Sequence, residues 1–83
     1  MRNKFYTTTA SNEVEEIKSE LLAKGFSEAE PCGNANILFI DTENMMFWNC
    51  DEKCIETNKK MAQQFHGEEP QHVTLKEIKS WQN

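Results

Sequence analysis

Residues 36–49 read NILFIDTENMMFWN, and this stretch decides the fold. Two apolar runs, NILFID over residues 36–41 and MMFWN over residues 45–49, are separated only by Thr42, Glu43 and Asn44. A polar connection this short between two apolar runs predicts an antiparallel hairpin. Because neither run alternates cleanly between apolar and polar residues, we expect at least one strand to have apolar contacts on both faces, at the sheet centre.

The sequence before the hairpin predicts a strand followed by a helix. Residues 4–8, KFYTT, are aromatic and β-branched, as strands prefer. Residues 11–24 have the spacing of a helix that Ser11 or Asn12 can cap. Asn12 and Glu15 resemble a capping box, and Gly25 suits the position after the last turn. The apolar residues on one side of this helix are Val14, Ile17 and Leu21.

The sequence around the hairpin also predicts a loop and a second helix. Residues 27–36 are polar and contain helix-breaking residues, which favours a loop. The second helix begins at Asp51 or Glu52, and Gly67 and Pro70 end it.

A short helix is predicted at the end of the chain. Thr74 and Glu77 have the spacing of a capping box, and His72 with Val73 suits a brief strand just before it. Together these elements predict a single α+β domain over residues 1–83. Its small antiparallel sheet of about three strands packs with two helices in the order β-α-β-β-α, followed by the C-terminal helix.

Charge limits the classes of partner. The chain of 83 residues has 14 acidic and nine basic residues, which gives a formal net charge of -5. Such a chain repels phosphates and releases no counterions from them, so direct binding to nucleic acid is disfavoured. The same sign attracts basic protein surfaces, including grooves that hold DNA or RNA.

Hydropathy and cysteine content indicate the compartment. No apolar run approaches the length that spans a bilayer, which argues against a membrane partner. Three cysteines, Cys32, Cys50 and Cys54, cannot all pair within one chain, and a disulfide scaffold of this size normally has more. We therefore expect a protein of the reducing cytoplasm.

One group of residues has the chemistry of a zinc site. Cys50, Cys54, His66 and His72 have spacings close to those of a Cys2His2 finger, although Gly67 and Pro70 interrupt the helix that would carry both histidines. The alternative is that Cys54 packs as a small apolar residue and that the histidines lie in a solvated loop.

Catalytic chemistry has little support in the sequence. Cys54 and His66 are the residue types of a nucleophile and a base, but no activating signature accompanies them. The three glycines are scattered and form no phosphate-binding loop. We predict no catalytic residues, no cofactor and no enzymatic activity.

Two surfaces are candidates for binding. Glu13, Glu16 and Glu20 lie on one side of the first helix, where they form either an ordinary solvated surface or an acidic stripe for a basic partner. The second candidate is a set of large apolar residues that either pack in the core or anchor a partner. Its members are Met45, Trp48 and Trp81.

The succession KFYTTT (residues 4–9), EVEEIKSELLAKGF (13–26), ILFID (37–41) and HVTLKEI (72–78) resembles small accessory proteins of tailed bacteriophages. The resemblance implies an early phage protein that acts in the host cytoplasm. Such a protein binds a host protein and inhibits or redirects it, including a protein of a defence system. No catalytic or binding residues follow from the resemblance. The alternative is a small zinc-stabilised or nucleic-acid-associated module, and a homodimer stays open.

Overall fold

The computed structural model describes residues 5–8, 12–31, 37–67 and 70–81, without the side chains of residues 52, 55, 62, 65 and 66. These ranges form a five-stranded mixed sheet and three helices. The strands are β1 (Phe5–Thr7), β2 (Ser27–Glu28), β3 (Ile37–Asp41), β4 (Met46–Cys50) and β5 (Gln71–His72). The helices are α1 (Val14–Ala23), α2 (Glu52–His66) and α3 (Leu75–Ser80).

The sheet has the strand order β2-β4-β3-β1-β5. The strand β3 is antiparallel to both β1 and β4, whereas β5 runs parallel to β1 and β2 runs parallel to β4. The α+β class and the three helices are confirmed, but the predicted sheet of about three antiparallel strands is wrong. The additional strands β2 and β5 are two residues long, polar and at the sheet edges. The brief strand predicted at His72 and Val73 overlaps β5 at His72, whereas no hydrophobic pattern marks β2.

Two crossover connections place helices on both faces of the sheet. The connection through α1 runs from β1 to β2, and the connection through α2 runs in the opposite direction, from β4 to β5. Because crossovers between parallel strands share one hand, connections in opposite directions must lie on opposite faces. We call these the α1 face and the α2 face of the sheet.

The α1 face holds a core of ten buried residues among those that the structure describes. The strands contribute Tyr6, Leu38, Ile40 and Phe47, and α1 contributes the three predicted residues Val14, Ile17 and Leu21. Phe26, Val73 and Ile78 complete the cluster. Trp81 closes its edge, because the Trp81 ring lies 5.0 Å from that of Tyr6 and 6.3 Å from that of Phe26.

On the α2 face, the described part of the core comprises Phe5, Phe39 and Cys50, with Ile37, Trp48 and Cys54 packed against it. Phe39 lies at its centre, with ring centroids 5.2 Å from Phe5 and 5.1 Å from Trp48. Since β3 contributes to both cores, the expectation that a hairpin strand has apolar contacts on both faces is confirmed.

The hairpin between β3 and β4 is confirmed, with Asp41 paired to Met46 across residues 42–45. The Asp41 carboxylate accepts hydrogen bonds from the backbone amides of Glu43 (3.0 Å) and Asn44 (3.1 Å), which holds the turn. Met45, predicted in the second strand, instead lies in the turn with a left-handed φ of 56°.

The α1 termini match the prediction only at the C-terminal end. Gly25 has a φ of 93°, its amide donates to the Leu22 carbonyl, and the Phe26 amide donates to the Leu21 carbonyl. These two bonds are a Schellman motif, which glycine permits because it lacks a Cβ. At the other end Glu13 is the capping residue and makes no side-chain cap bond, so the predicted cap at Asn12 is wrong.

The predicted starts of the other two helices are confirmed. The Asp51 carboxylate accepts from the Cys54 amide (2.8 Å) at the start of α2. At the start of α3 the Thr74 hydroxyl accepts from the Glu77 amide (3.3 Å) and lies 3.2 Å from the Glu77 carboxylate. Each cap satisfies an amide that the helix itself leaves without a partner.

Candidate binding surfaces

The two lysines of α1 are withdrawn from its outer surface. Lys18 pairs with Glu28 (3.0 Å) and Lys24 pairs with Glu20 (3.7 Å). Only 17% of the Lys18 side chain and 13% of the Lys24 side chain are exposed. Lys24 also donates to the Trp81 carbonyl at 2.8 Å, which fixes its ammonium group against the body of the protein.

The carboxylates of α1 differ in exposure. Glu20, predicted in the acidic stripe, is half-buried and paired, whereas the other predicted members, Glu13 and Glu16, are exposed. Glu15 is also exposed, although the sequence reasoning left it out. We call Glu13, Glu15 and Glu16 the acidic end of α1, because all three lie within its first turn or at its cap.

The flank of α1 beside α3 is less acidic than the sequence suggested. Lys79 of α3 lines one shallow depression with Glu15, Glu16 and Glu20 and a second with Glu13. The negative field of the acidic end is therefore partly offset on the α3 side.

The predicted apolar anchors have different surroundings. Met45 and Trp81 are partly buried against the core of the α1 face, and Trp48 is partly buried on the α2 face. The large apolar side chains most exposed among the described residues are instead Leu22 (52%), Met61 (39%) and Met46 (36%). The apolar run of the hairpin is thus mainly core, and Leu22 on α1 is the candidate that the sequence reasoning missed.

A pocket of about 400 Å³ lies beside the first two turns of α2. Among the described residues its lining comprises Lys53, Cys54, Thr57 and Asn58. Asn58 is buried and donates from its amide nitrogen to the Cys50 sulfur at 3.2 Å.

The cysteines of this region do not form a nucleophilic site. Cys50 is completely buried, and this burial raises the pKa of the Cys50 thiol despite the hydrogen bond from Asn58. Cys54 takes part in a disulfide, with its partner outside the described residues. Cys54 therefore differs from the expected reduced thiol, and a disulfide sulfur supplies neither a nucleophilic thiolate nor a zinc ligand.

The proposed zinc ligands are not assembled into one site. Cys50 lies on β4 and His72 on β5, with two strands between them, which separates the backbones by about 14 Å. Zinc binds its ligand atoms at about 2.0 to 2.3 Å, so no single ion contacts both residues. The His66 side chain lies outside the described residues. Within the described ranges, no three His, Cys, Asp or Glu side chains are grouped around a possible ion.

No protein-family model, curated protein or solved structure matches this chain. Among the described residues, no helix has the length and apolar character needed to cross a bilayer.

Proposed function

We propose that this chain is a non-catalytic binding protein whose α1 helix docks on a basic surface of a protein partner. The observation that carries the proposal is the separation of charges on α1. Its lysines are largely buried and paired, while Glu13, Glu15 and Glu16 face solvent at the acidic end. By its resemblance to accessory phage proteins, the partner would be a host protein that this binding inhibits or redirects.

Electrostatics favours a basic partner over other classes of macromolecule. A net charge of -5 attracts a positively charged surface before contact and raises the association rate. The same charge opposes approach to a phosphate backbone. On this proposal, binding weakens as salt is added because salt screens the exposed carboxylates.

The sulfur chemistry also supports binding over catalysis. The Cys50 thiol is buried with a raised pKa, and the Cys54 sulfur is already bonded to another sulfur. A nucleophilic cysteine requires an accessible thiolate with a lowered pKa.

The test compares two triple charge reversals in a tagged chain. One variant has Glu13→Lys, Glu15→Lys and Glu16→Lys in the acidic end, and the matched control has Glu30→Lys, Glu43→Lys and Glu56→Lys elsewhere. Each variant changes the formal charge by +6, from -5 to +1, so a difference between them reports position and not total charge.

Capture from a bacterial host lysate is then measured at low and at high salt. We expect the unmodified chain and the control to retain the same protein at low salt, and the acidic-end variant to lose it. Equal retention by both variants, equal loss from both, or no specific protein at low salt would count against the proposal.

A further inference from the structure

We infer that the disulfide at Cys54 is a reversible redox switch at the start of α2, which cellular thiols open and oxidising conditions close. The inference concerns the α2 face and does not depend on the docking proposed for α1. Cys54 is disulfide-bonded, whereas Cys50, four residues earlier, is a free thiol. The two cysteines therefore differ in chemical state, although both belong to the core of the α2 face.

The disulfide is unexpected in the compartment that the cysteine content predicts. Three cysteines in 83 residues favour the reducing cytoplasm, where glutathione and thioredoxin-type proteins keep most thiols reduced. Disulfides that do form there are usually catalytic or redox-sensing. The chain has no Cys-x-x-Cys pair of the kind that exchanges disulfides catalytically. Redox sensing is therefore the role that fits the bond at Cys54.

Cys54 lies where a small thiol reaches it. The residue is half-buried and lines the pocket of about 400 Å³ together with the exposed residues Lys53 and Thr57. Exchange of a disulfide depends on the access of an attacking thiolate to its sulfurs. Cys50, in contrast, is completely buried and accepts a hydrogen bond from the Asn58 amide group at 3.2 Å. Solvent thiols therefore reach the bond at Cys54 and leave Cys50 untouched.

The switch uses ordinary thiol–disulfide exchange. A glutathione thiolate attacks one sulfur of the bond, forms a mixed disulfide and releases the other sulfur, which takes up a proton. A second glutathione thiolate then displaces the chain from the mixed disulfide. Two glutathione molecules are oxidised to one glutathione disulfide, and the chain is reduced by two electrons and gains two thiols.

Opening of the switch acts first on the beginning of α2. The Cys54 side chain packs against the core that is centred on Phe39, and the Cys54 amide donates to the Asp51 carboxylate at 2.8 Å. Without the cross-link the opened chain regains conformational entropy, so the first turns of α2 open more often. The buried residues of α1 belong to the core of the opposite face. The redox state therefore changes the cover of Phe39 more than it changes α1.

The first test counts thiols in the folded chain. The chain is held in reduced or in oxidised glutathione, free thiols are blocked with a maleimide without denaturant, and the intact mass is measured. We expect two adducts in reduced glutathione, at Cys54 and at its disulfide partner, and none in oxidised glutathione. Cys50 should stay unmodified in both. The same number of adducts in both buffers, or a bond that does not re-form after oxidation, overturns the inference.

The second test separates a switch from a cross-link that stabilises the whole fold uniformly. Hydrogen exchange is followed by mass spectrometry for peptides of α1 and α2 in the same two buffers. We expect reduction to speed exchange at the start of α2 by about tenfold or more beyond any change in α1, because the cross-link restrains the segment that contains it. Equal acceleration in both helices overturns the inference.

Two matched variants identify the group that responds. Cys54→Ser cannot form the bond, so its α2 should exchange like that of the reduced chain in both buffers. Cys50→Ser keeps the bond, so its α2 should still respond to reduction. A redox response that persists in Cys54→Ser, or that is lost in a folded Cys50→Ser, would assign the effect to another group and overturn the inference.

Discussion

The two faces of the sheet are built differently. Among the side chains that the structure describes, the α1 face buries an apolar cluster of ten residues under two helices, and the α2 face buries a cluster of three. On the α2 face, polar and covalent contacts join the apolar ones, namely the Asn58 to Cys50 hydrogen bond and the disulfide at Cys54. The helix α2 is therefore held partly by specific bonds.

This arrangement connects stability with the proposed docking surface. The helix that carries the acidic end is anchored in the core of the α1 face through Val14, Ile17 and Leu21. A rigid helix loses little conformational entropy when it binds a partner. The helix α2 is not part of the proposed docking surface.

The largest expected effect compares one deletion on the two faces of the same strand. Ile40 is fully buried on the α1 face, and Ile37 is half-buried on the α2 face, both on β3. We expect Ile40→Ala to lower the free energy of unfolding by about 4 kcal/mol and Ile37→Ala by about 1 kcal/mol, because cavity cost grows with burial. Urea denaturation measures both. Equal losses would show that the two cores contribute equally.

A smaller effect is expected when the disulfide at Cys54 is removed. Reduction, or Cys54→Ser, should lower the free energy of unfolding by about 3 kcal/mol, because a cross-link restricts the unfolded chain. The measurement is urea denaturation with and without a reducing agent. The Cys54→Ser variant is the control, since its stability should not respond to the reducing agent. If the unmodified chain has the same free energy of unfolding with and without the reducing agent, the disulfide does not stabilise the fold.

The smallest effect concerns pH. Burial raises the pKa of the Cys50 thiol above its ordinary value of 9.0, so the folded chain holds this proton more tightly than the unfolded chain. The protonated Cys50 thiol therefore makes its full contribution to the free energy of unfolding below pH 9.0. This contribution is lost as the pH rises through the pKa of the thiol in the folded chain.

The matched variant for this prediction is Cys50→Ser, whose hydroxyl still accepts a hydrogen bond from Asn58 but does not titrate in this range. Unfolding free energies between pH 8 and 10 should fall more steeply for the unmodified chain than for Cys50→Ser. Parallel curves would exclude a raised thiol pKa.

The elements that sequence reasoning predicted correctly have strong local signals. The hairpin, the glycine end of α1 and the caps of α2 and α3 depend on residues close together in the chain, such as Asp51 with Cys54 and Thr74 with Glu77. The strand β2 escaped prediction, and β5 was predicted only at His72, because two polar residues have no periodicity. Their pairing is decided by distant partners, as when Ser27 aligns with Met46.

The candidate surface was predictable only in part. The sequence placed Glu13 and Glu16 correctly on an exposed side of α1, since helical spacing fixes which residues share a side. It could not show that Glu20 is paired and half-buried, that Trp81 packs on Tyr6, or that Leu22 is left uncovered. Those outcomes depend on how α3 and the chain end pack against α1, which is tertiary and not local.

The brevity of β2 and β5 has a consequence for solubility at high concentration. Both borders of the sheet are only two residues long and consist of Ser27–Glu28 and Gln71–His72. A long unpaired border can template the addition of strands from other copies and start fibrils, whereas short polar or charged borders resist this growth. The longest strands, β3 and β4, lie inside the sheet, with β2 paired to Met46 and Phe47 on the outer side of β4.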